Sequence, residues 1–299
     1  MKEVGFIGLG KMGSNMVLNL LDHKCRVVVY DRSFDKTKIL AKKGAIPVFS
    51  FRDLIDKINS KRKIIWIMVS VGKAVDEVLN GLSPYLNKGD IIIDGGNSYY
   101  KDSQIRYRKL KQKGIYFLDV GVSGGVEGAR KGGAYLIGGD KIAFKESEFI
   151  FKLLSVKNRY SYVGISGSGH FAKGIHNAIE YGMMASIAEG IEAINSKKNK
   201  FRINLSKVID IYANGSVIQS RLIDWMNKGI NRKDFDKISG FVPKGDTEDE
   251  MNLLAKEFNL DVLKEAISMR IKSRKSPSFK GKLISVMRNE FGGHLLKKK

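Results

Sequence analysis

The chain has 299 residues, of which 43% are hydrophobic, so it is long enough for two domains with buried cores. Its single cysteine, Cys25, excludes an intrachain disulfide and favours a reducing compartment. Met1 runs almost directly into an apolar strand, and no apolar stretch approaches the ~18 residues that a membrane span requires. We therefore expect a cytoplasmic protein with no signal peptide and no membrane partner.

The charge of the chain is strongly positive. The formal net charge is +22, and basic residues are densest at 197–202, 270–282 and 297–299. Such a charge permits nucleic-acid binding, but no nucleic-acid motif accompanies it, so a preference for small anionic molecules is favoured. Histidines are few and scattered: His170 and His176, six residues apart, would face different sides of a helix. No metal site is expected.

The first elements of the chain predict a dinucleotide site. An apolar strand over residues 4–8 precedes a glycine-rich turn, and a helix over residues 12–21 follows it. In this context one glycine turns the chain, the next lets a pyrophosphate approach the backbone, and the third lets the helix pack on the strand. The phosphates then lie on free N–H groups at the helix N-terminus. The expected cofactor-binding positions are Gly8, Gly10, Lys11, Met12 and Gly13.

The end of the second strand bears on which cofactor is bound. This strand, residues 26–30, ends in Asp31, whose carboxylate is placed to accept hydrogen bonds from an adenosine ribose. A carboxylate here favours NAD, whereas Arg32 and Ser33 could hold the 2′-phosphate of NADP. Ser33 could equally cap the following helix. NAD and NADP both remain open, and Asp31 favours NAD.

The remaining pattern predicts two domains. Apolar strands continue to alternate with helical stretches, at residues 46–49, 64–69, 91–94, 116–120, 134–137 and 160–163. The alternation predicts an α/β fold with a doubly wound, mostly parallel Rossmann-type sheet over residues 1–165. From Ser166 onwards the pattern is helical, with only Pro243 and Pro277 interrupting it. Residues 166–299 are therefore predicted to form an all-α domain for substrate binding and dimerisation.

The first helix of the second domain carries two patterns. Apolar residues recur at every fourth position and predict a buried stripe, namely Phe171, Ile175, Ile179, Met183, Ile187 and Ile191. Gly182 and Gly190 would let another helix pack closely. On another face, Lys173, Asn177 and Glu180 stand at i, i+4 and i+7, so their side chains project together. Such a trio is often an exposed ion-pair ladder, but asparagine inside an apolar helix indicates a function.

Three blocks of sequence are more specific than the glycine-rich turn. They are GDIIIDGGNS at residues 89–98, GVSGGVEGAR at 121–130, and the helix segment from Gly169 to Gly182, which contains Lys173, His176 and Asn177. They resemble 6-phosphogluconate dehydrogenase (decarboxylating), in particular its short bacterial form in the beta-hydroxyacid dehydrogenase superfamily. The resemblance runs from end to end. It implies the oxidative decarboxylation of 6-phospho-D-gluconate to D-ribulose 5-phosphate, CO2 and NAD(P)H, in the pentose phosphate pathway and gluconate metabolism.

The resemblance also implies catalytic roles for two residues. Lys173 matches the general base that removes the proton of the C3 hydroxyl as hydride leaves C3, for which its amine must be neutral. Once the 3-keto intermediate has lost CO2, Glu180 matches the acid that protonates C1 of the enediol. One amine and one carboxylic acid would thus serve both proton transfers.

Further residues match the family's binding positions. Substrate contacts are implied for Asn97, Ser123, Gly124, Gly125, His176 and Asn177. The phosphate end of the substrate would be held by Tyr181, Arg270, Arg288 and His294, and cofactor contacts extend to Val69 and Asn97. The segment from Arg288 to His294 resembles a tail that enters the neighbouring subunit's active site. The resemblance therefore implies a homodimer or homotetramer whose tail completes the neighbouring site.

Two features depart from the family pattern. The family commonly has KGTGKWT or GEGRWT between the catalytic helix and the arginine-bearing helix, whereas residues 241–250 here read FVPKGDTEDE. Lys244 is a candidate phosphate ligand, but the tryptophan and the second basic residue are missing. In addition, the acidic pair after Ser-Gly-Gly is reduced to Glu127. Phosphate recognition is therefore the part of the assignment that the sequence supports least.

Two other functions stay open. A beta-hydroxyacid dehydrogenase that oxidises a small unphosphorylated hydroxy acid without decarboxylation would use Lys173 and Asn177 equally well. Glu180 and Arg270 argue against it, because such a substrate needs neither a second proton donor nor a cationic phosphate site. The other alternative is a basic nucleic-acid-binding protein on an inactive dehydrogenase fold, which predicts salt-sensitive DNA binding and no nicotinamide reduction.

Overall fold

The computed structural model describes residues 2–299, and the chain divides into two compact units, Met1–Gly174 and Ile175–Lys299. The first unit contains one eight-stranded sheet. Its strands are β1 (Glu3–Ile7), β2 (Arg26–Tyr30), β3 (Ile46–Pro47), β4 (Ile64–Ile67), β5 (Ile91–Asp94), β6 (Tyr116–Ser123), β7 (Gly133–Gly139) and β8 (Ser155–Gly164). They lie in the order β3-β2-β1-β4-β5-β6-β7-β8. All neighbouring pairs are parallel except β6 and β7, which are antiparallel.

Helices connect the strands of this unit. They are α1 (Lys11–Asp22), α2 (Phe34–Ala41), α3 (Phe51–Lys57), α4 (Lys73–Leu82), α5 (Tyr100–Gln112), α6 (Gly125–Lys131) and α7 (Lys141–Leu154). The long helix α8 (Ser168–Phe201) begins in the first unit and continues into the second. The predicted α/β class with an N-terminal Rossmann-type sheet is confirmed.

The strand sequences explain why this sheet is central. Strands β1, β4 and β5 are buried along their whole length, as expected for parallel strands covered on both faces. Successive side chains enter different cores: Val27 and Val29 belong to one apolar cluster and Val28 to the other. Likewise Trp66 lies on one side of β4 and Ile65 on the other. The two-residue period of the strands therefore builds both cores at once.

The second unit is helical. Besides the remainder of α8 it contains α9 (Leu205–Ala213), α10 (Arg221–Ile230), α11 (Glu248–Glu257), α12 (Asp261–Lys275) and α13 (Phe279–Gly292). Its core joins α8 to α9, α10 and α13 through buried side chains that include Met184, Ala188 and Met287. In residues 2–299, no helix combines the length and the apolar character that crossing a bilayer would demand.

The buried stripe predicted for α8 is partly wrong. Ile179 and Met183 are 59% and 41% exposed, whereas Met184 and Ala188 are buried. Ile191 is buried as predicted, but four other members of the stripe line an apolar groove of about 610 Å³, namely Ile175, Ile179, Met183 and Ile187. Gly182 and Gly190 were both predicted to permit close helix packing. A methyl group at Gly182 would lie 2.9 Å from the Val262 side chain, as predicted, but one at Gly190 would meet no atom within 4 Å.

Candidate active site

The glycine-rich turn has the shape that a dinucleotide requires. Gly8 has φ +95°, and a side chain on Gly8 or Gly13 would collide with backbone, at the Met68 carbonyl and the Gly8 carbonyl respectively. Gly10 instead faces open space and is the N-cap of α1, where no side chain caps the first N–H groups. Those donors and the positive end of the helix are available to an anion, so the residues present fit a pyrophosphate.

Asp31 lies beside this turn. Its Oδ2 accepts a hydrogen bond from the Leu9 amide at 2.6 Å, and its Oδ1 accepts one from the Ser33 amide at 2.8 Å. The Lys36 amine is 3.6 Å from Oδ1. Ser33 is the N-cap residue of α2, but its side chain makes no capping hydrogen bond. The carboxylate therefore joins the end of β2 to the phosphate turn, where it can reach a ribose.

Val69 and Asn97 lie on neighbouring loops that follow β4 and β5. A methyl group on Gly96 would come within 3.2 Å of the Val69 carbonyl oxygen, so the two loops touch. Asn97 is exposed, while the residues on both sides of it bind the buried carboxylate of Asp94. The Gly96 amide donates to Oδ1 at 3.1 Å and the Ser98 hydroxyl to Oδ2 at 2.7 Å. Asn97 is thus presented at the tip of an anchored turn.

The start of α8 is fixed by a second buried carboxylate, that of Asp119 on β6. Asp119 is fully buried, and it accepts hydrogen bonds from the amides of Gly167 at 2.7 Å and His170 at 3.0 Å. An acceptor at this end satisfies N–H groups that have no partner within the helix. Lys173 follows one turn later and is only 8% exposed. The amine predicted to be the base is therefore on a well-anchored turn.

Close packing of β6 against this turn depends on Gly121. A Cβ at Gly121 would collide with the Lys173 Cβ and lie 2.9 Å from the Gly169 carbonyl oxygen. We expect Gly121→Ala to lower the free energy of unfolding by about 1–3 kcal/mol, the usual cost of overpacking. The control, Gly190→Ala on the exposed part of α8, should leave stability unchanged or raise it. Urea denaturation checks both, and equal stability of the two variants would contradict the prediction.

The predicted substrate residues Ser123, Gly124 and Gly125 lie where β6 ends and α6 begins. Ser123 ends the strand, and Gly124 and Gly125 follow with φ values of +128° and +62° at the start of α6. Helix α6 is tied to α1 because the buried Asn19 side chain donates to the Ala129 carbonyl at 3.3 Å. The Ser-Gly-Gly positions are therefore coupled through α6 to the helix that begins at the phosphate turn.

In the second unit, α8 continues with the other predicted residues. Asn177 is 8% exposed, and the helical repeat places Glu180 on the same side of α8 as Asn177. The His176 Nδ1 atom is 3.4 Å from the Asn177 Oδ1 atom and 3.9 Å from the Glu180 Oε2 atom. An imidazole, an amide and a carboxylate are therefore adjacent on one stretch of helix.

The second unit also contains a buried pair of guanidinium groups. Arg270 and Arg288 are 3% and 4% exposed. Arg270 lies over the Tyr181 ring, 3.3 Å from its centroid, and Arg288 donates to the Pro243 carbonyl at 2.7 Å. Within residues 2–299, no carboxylate forms an ion pair with either group. Burial lowers the pKa of Arg270 to about 10, and it also lowers the pKa of Arg288.

Two buried cations without a carboxylate partner are costly unless an anion joins them. A pKa of about 10 leaves Arg270 charged at neutral pH. We define Tyr181, Arg270 and Arg288 as the cationic cluster. Its geometry suits a phosphate or a carboxylate, because guanidinium groups bind planar pairs of oxygens.

The altered segment at residues 242–247 packs against the cationic cluster. A methyl group on Gly245 would come within 2.8 Å of the Arg288 Nη2 atom, and the Thr247 hydroxyl is 3.4 Å from that of Tyr181. The segment is held by Arg274, which donates to the Val242 carbonyl at 3.0 Å. Arg274 also forms a two-point ion pair with the buried carboxylate of Glu248.

Lys244, the predicted phosphate ligand of this segment, binds a carboxylate instead. Its exposed amine is 2.7 Å from an oxygen of Asp249. The residues of the segment that lie beside the cationic cluster are Pro243, Gly245 and Thr247, none of which was predicted from the sequence. A hydroxyl two residues after a Lys-Gly pair was the available signal, but no sequence pattern gives its distance from Tyr181.

The C-terminal residues divide between a helix and a short extension. Arg288 lies inside α13 and binds Pro243 of its own chain, so its assignment to a tail that leaves the subunit is corrected. Helix α13 ends at Gly292, and the ring of His294 packs against Phe291 with their centroids 5.6 Å apart. Only the residues after Gly292 therefore extend beyond the helix.

Comparisons with known proteins agree with this arrangement. Residues 3–164 match the family model of the NAD binding domain of 6-phosphogluconate dehydrogenase. The Bacillus subtilis protein YqeC, provisionally named a 6-phosphogluconate dehydrogenase, is 40% identical over 99% of this chain and 100% of its own length. The NAD(+)-dependent, decarboxylating 6-phosphogluconate dehydrogenase of Haloferax volcanii is 32% identical over 99% of each chain.

A solved structure extends the likeness to three dimensions. The 6-phosphogluconate dehydrogenase of Plasmodium falciparum, described with NADP+ and with 6-phosphogluconate, is 30% identical and superposes with a TM-score of 0.82 over 91% of this chain. The chain spans 62% of that protein and less than half the length of the chlamydial relatives it matches. The matched family model and the full-length relatives together show that this chain is a dehydrogenase of the 6-phosphogluconate dehydrogenase family.

Proposed function

We propose that the chain catalyses the oxidative decarboxylation of 6-phospho-D-gluconate to D-ribulose 5-phosphate, CO2 and NAD(P)H. The observation that carries this proposal is the buried pair Arg270 and Arg288, with which no carboxylate of residues 2–299 forms an ion pair. A phosphorylated substrate supplies the missing negative charge, whereas a small unphosphorylated hydroxy acid leaves at least one cation without a partner. The names of the full-length relatives support the same substrate.

The first unit is proposed to hold the cofactor. Backbone donors at Gly10, Lys11 and Met12 would bind the pyrophosphate, Asp31 the adenosine ribose, and Val69 and Asn97 the region of the nicotinamide. When bound, the nicotinamide ring supplies the hydride acceptor. The side chains of the protein orient the substrate and transfer the protons.

The proton transfers are assigned to two residues of α8. The amine of Lys173 removes the proton from the C3 hydroxyl as the C3 hydrogen leaves with its electron pair, so C3 becomes a carbonyl. The carboxylate beta to this carbonyl then leaves as CO2, and its electron pair forms the enediol while Lys173 returns the proton to the carbonyl oxygen. Glu180 protonates the carbon that carried the departed carboxylate, which is C1 of the product, while Lys173 takes the proton from the enediol hydroxyl, so that the ketose forms. Asn97, Ser123 and Asn177 are proposed to bind the polyol.

The decisive assay compares substrates. We expect NADH or NADPH to form with 6-phosphogluconate, together with one equivalent of CO2, and to form far more slowly with gluconate or 3-hydroxyisobutyrate. Reduction with 3-hydroxyisobutyrate alone, without CO2, would replace the proposed function by that of a beta-hydroxyacid dehydrogenase. Tight, salt-sensitive DNA binding without any nicotinamide reduction would replace it by nucleic-acid binding.

We propose NAD as the preferred cofactor, because Asp31 presents a carboxylate where NADP carries a phosphate. Asp31→Ser should reduce the ratio of kcat/KM for NAD to that for NADP by about 10–100-fold, the usual worth of hydrogen bonds to a charged group. The comparison requires initial rates at several concentrations of each cofactor. The control Asp35→Ser, on the exposed side of α2, should leave the ratio unchanged. A ratio that already favours NADP in the unaltered protein would contradict the preference.

We propose that the chain forms a homo-oligomer through the exposed stripe of α8. Ile179, Met183 and Val262 are all more than two-fifths exposed and border the apolar groove, and contiguous apolar surface of this kind marks an interface. Ile179→Asp should therefore shift the protein to monomers in analytical ultracentrifugation, while Ile211→Asp, on exposed α9 outside the groove, should not. A monomeric unaltered protein would contradict the proposal.

The end of the chain is proposed to complete a neighbouring site, with His294 as the contact. Residues 297–299 pair with residues 237–239 of their own chain, so the proposal concerns the residues between Gly292 and Lys297.

A further inference from the structure

Arg106 lies on α5, outside every position assigned above, and is only 3% exposed. Its guanidinium group reaches two loops. On one side Nε donates to Asp76 Oδ1 at 2.8 Å, and Nη2 donates to the Gly72 carbonyl at 3.1 Å and to Asp76 Oδ2 at 3.2 Å. On the other side Nη1 donates to the Ser98 hydroxyl at 3.1 Å and lies 3.7 Å from Asp94 Oδ2.

Gly72 and Ser98 belong to the loops that carry Val69 and Asn97, while Asp76 lies in the first turn of α4 and Asp94 is the last residue of β5. Gly72, with φ +80°, ends the loop after β4 and is the N-cap of α4. Ser98 follows Asn97 directly and also donates to Asp94. The two loops are therefore joined by Arg106 as well as by the close approach of Gly96 to the Val69 carbonyl.

The charges explain why an arginine is needed at this position. Asp94 is fully buried, and the guanidinium group of Arg106 lies beside its carboxylate, while Asp76 binds the opposite edge of the same guanidinium group. Lysine has three donors on one nitrogen and cannot span acceptors on both sides in a fixed plane. All three guanidinium nitrogens of Arg106 donate to acceptors of the protein. Arg106 therefore holds the two loops in place and does not bind a ligand directly.

We propose that Arg106 is a positioning residue that fixes the Val69 loop relative to the Asn97 turn, so that nucleotide affinity and substrate turnover both depend on it. The proposal rests on the proposed function only in assigning Val69 and Asn97 to the cofactor and the substrate. Misplacement of such groups by about 1 Å can reduce turnover by about 100-fold.

The first test replaces Arg106 and a matched arginine of the same helix. We expect Arg106→Met to weaken NADH binding about tenfold in a fluorescence titration and to lower kcat about 100-fold, at a temperature well below the melting point of each variant. Arg106→Lys should recover part of each loss. Arg108→Met, at an exposed position of α5, should change neither quantity. Unchanged NADH affinity and kcat in a folded Arg106→Met protein would overturn the proposal.

A double-mutant cycle tests the link between the loops without removing the guanidinium group. Asp76→Asn weakens the contact of Arg106 on the side of the Val69 loop, and Ser98→Ala removes its contact on the side of the Asn97 turn. If Arg106 joins them, their combined effect on NADH affinity should differ about threefold or more from the product of the single effects. This coupling should vanish when Arg106 is methionine.

The outcomes separate this inference from the proposed function. Coupled effects on NADH affinity uphold the role of Arg106 even if 6-phosphogluconate is not turned over, because that measurement needs no substrate. Independent effects in the cycle overturn it, even if 6-phosphogluconate is turned over. If Arg106→Met does not fold, the cycle in the unaltered background still decides the question.

Discussion

Lys173→Met should oxidise 6-phosphogluconate about 1,000-fold more slowly than the unaltered protein while binding NADH with the same affinity. General acid–base catalysis by a positioned side chain contributes about 10²–10⁴-fold, and methionine has no proton acceptor to replace the amine. The exchange should be tolerated structurally, because Lys173 is 8% exposed and methionine has a similar length without the cost of a buried amine. Initial rates and a fluorescence titration measure the two quantities.

The matched control is Lys198→Met, near the exposed end of the same helix. It replaces an amine of α8 in the same way but should retain full activity. A Lys173→Met protein that turns over within tenfold of the unaltered protein would remove the lysine from the role of base. Loss of NADH binding in that variant would instead show that the lysine serves the cofactor.

Arg288→Met should raise the KM for 6-phosphogluconate about 30-fold or more, with little change in its affinity for NADH. Removing one partner of a buried, hydrogen-bonded charge pair costs about 2–5 kcal/mol of binding free energy, and the upper part of this range corresponds to several thousandfold. Gluconate should be affected far less, because it has no phosphate for the guanidinium group to bind. The preference for the phosphorylated substrate should therefore decrease.

Two comparisons make this result specific. Arg221→Met, on the exposed side of α10, removes the same charge and should leave the KM unchanged. Arg270→Met should resemble Arg288→Met, because both groups belong to the cationic cluster. Equal increases in the KM for gluconate and for 6-phosphogluconate would contradict phosphate recognition by Arg288.

The pH dependence of anion binding follows from the lowered pKa of Arg270. Burial lowers this pKa to about 10, so the charged form is the one that folding disfavours. That cost is present in full below pH 10 and is relieved as the pH rises through about 10, where the group loses its proton. Affinity for phosphate should therefore be steady between pH 7 and 9 and fall near pH 10. Sulfate should raise the melting temperature at pH 7, because binding to the native state stabilises it.

Local patterns predicted the framework of the first unit. The bounds of β2 and β5 match the sequence prediction. Each is a short apolar run followed by or ending in an aspartate, Asp31 or Asp94, and such a run is typical of a parallel strand that is buried on both faces. The glycine turn could also be read directly, since each glycine has a distinct steric task within six residues. In both cases the forces that decide the structure act between residues close in the chain.

The face of α8 that enters the core could not be read in the same way. Two apolar faces compete on this helix, and the more regular one, with Ile179 and Met183, is exposed in the structure. Which face is covered depends on α9, α10 and α13, which follow α8 in sequence by different lengths of chain. Helical periodicity shows that a face is apolar, but it does not show what packs against it.

Local patterns were enough to predict the α/β class, the dinucleotide turn and the helix that carries Lys173, Asn177 and Glu180, because these depend on periods of two to four residues. Packing in three dimensions was needed to show that Arg270 and Arg288 share a buried cluster, that Lys244 binds Asp249, and that Arg106 joins two loops. Those contacts join residues that lie far apart in the chain, and the sequence around a polar residue does not show whether folding will bury it. Burial, distance and the absence of a countercharge arise only when the elements pack.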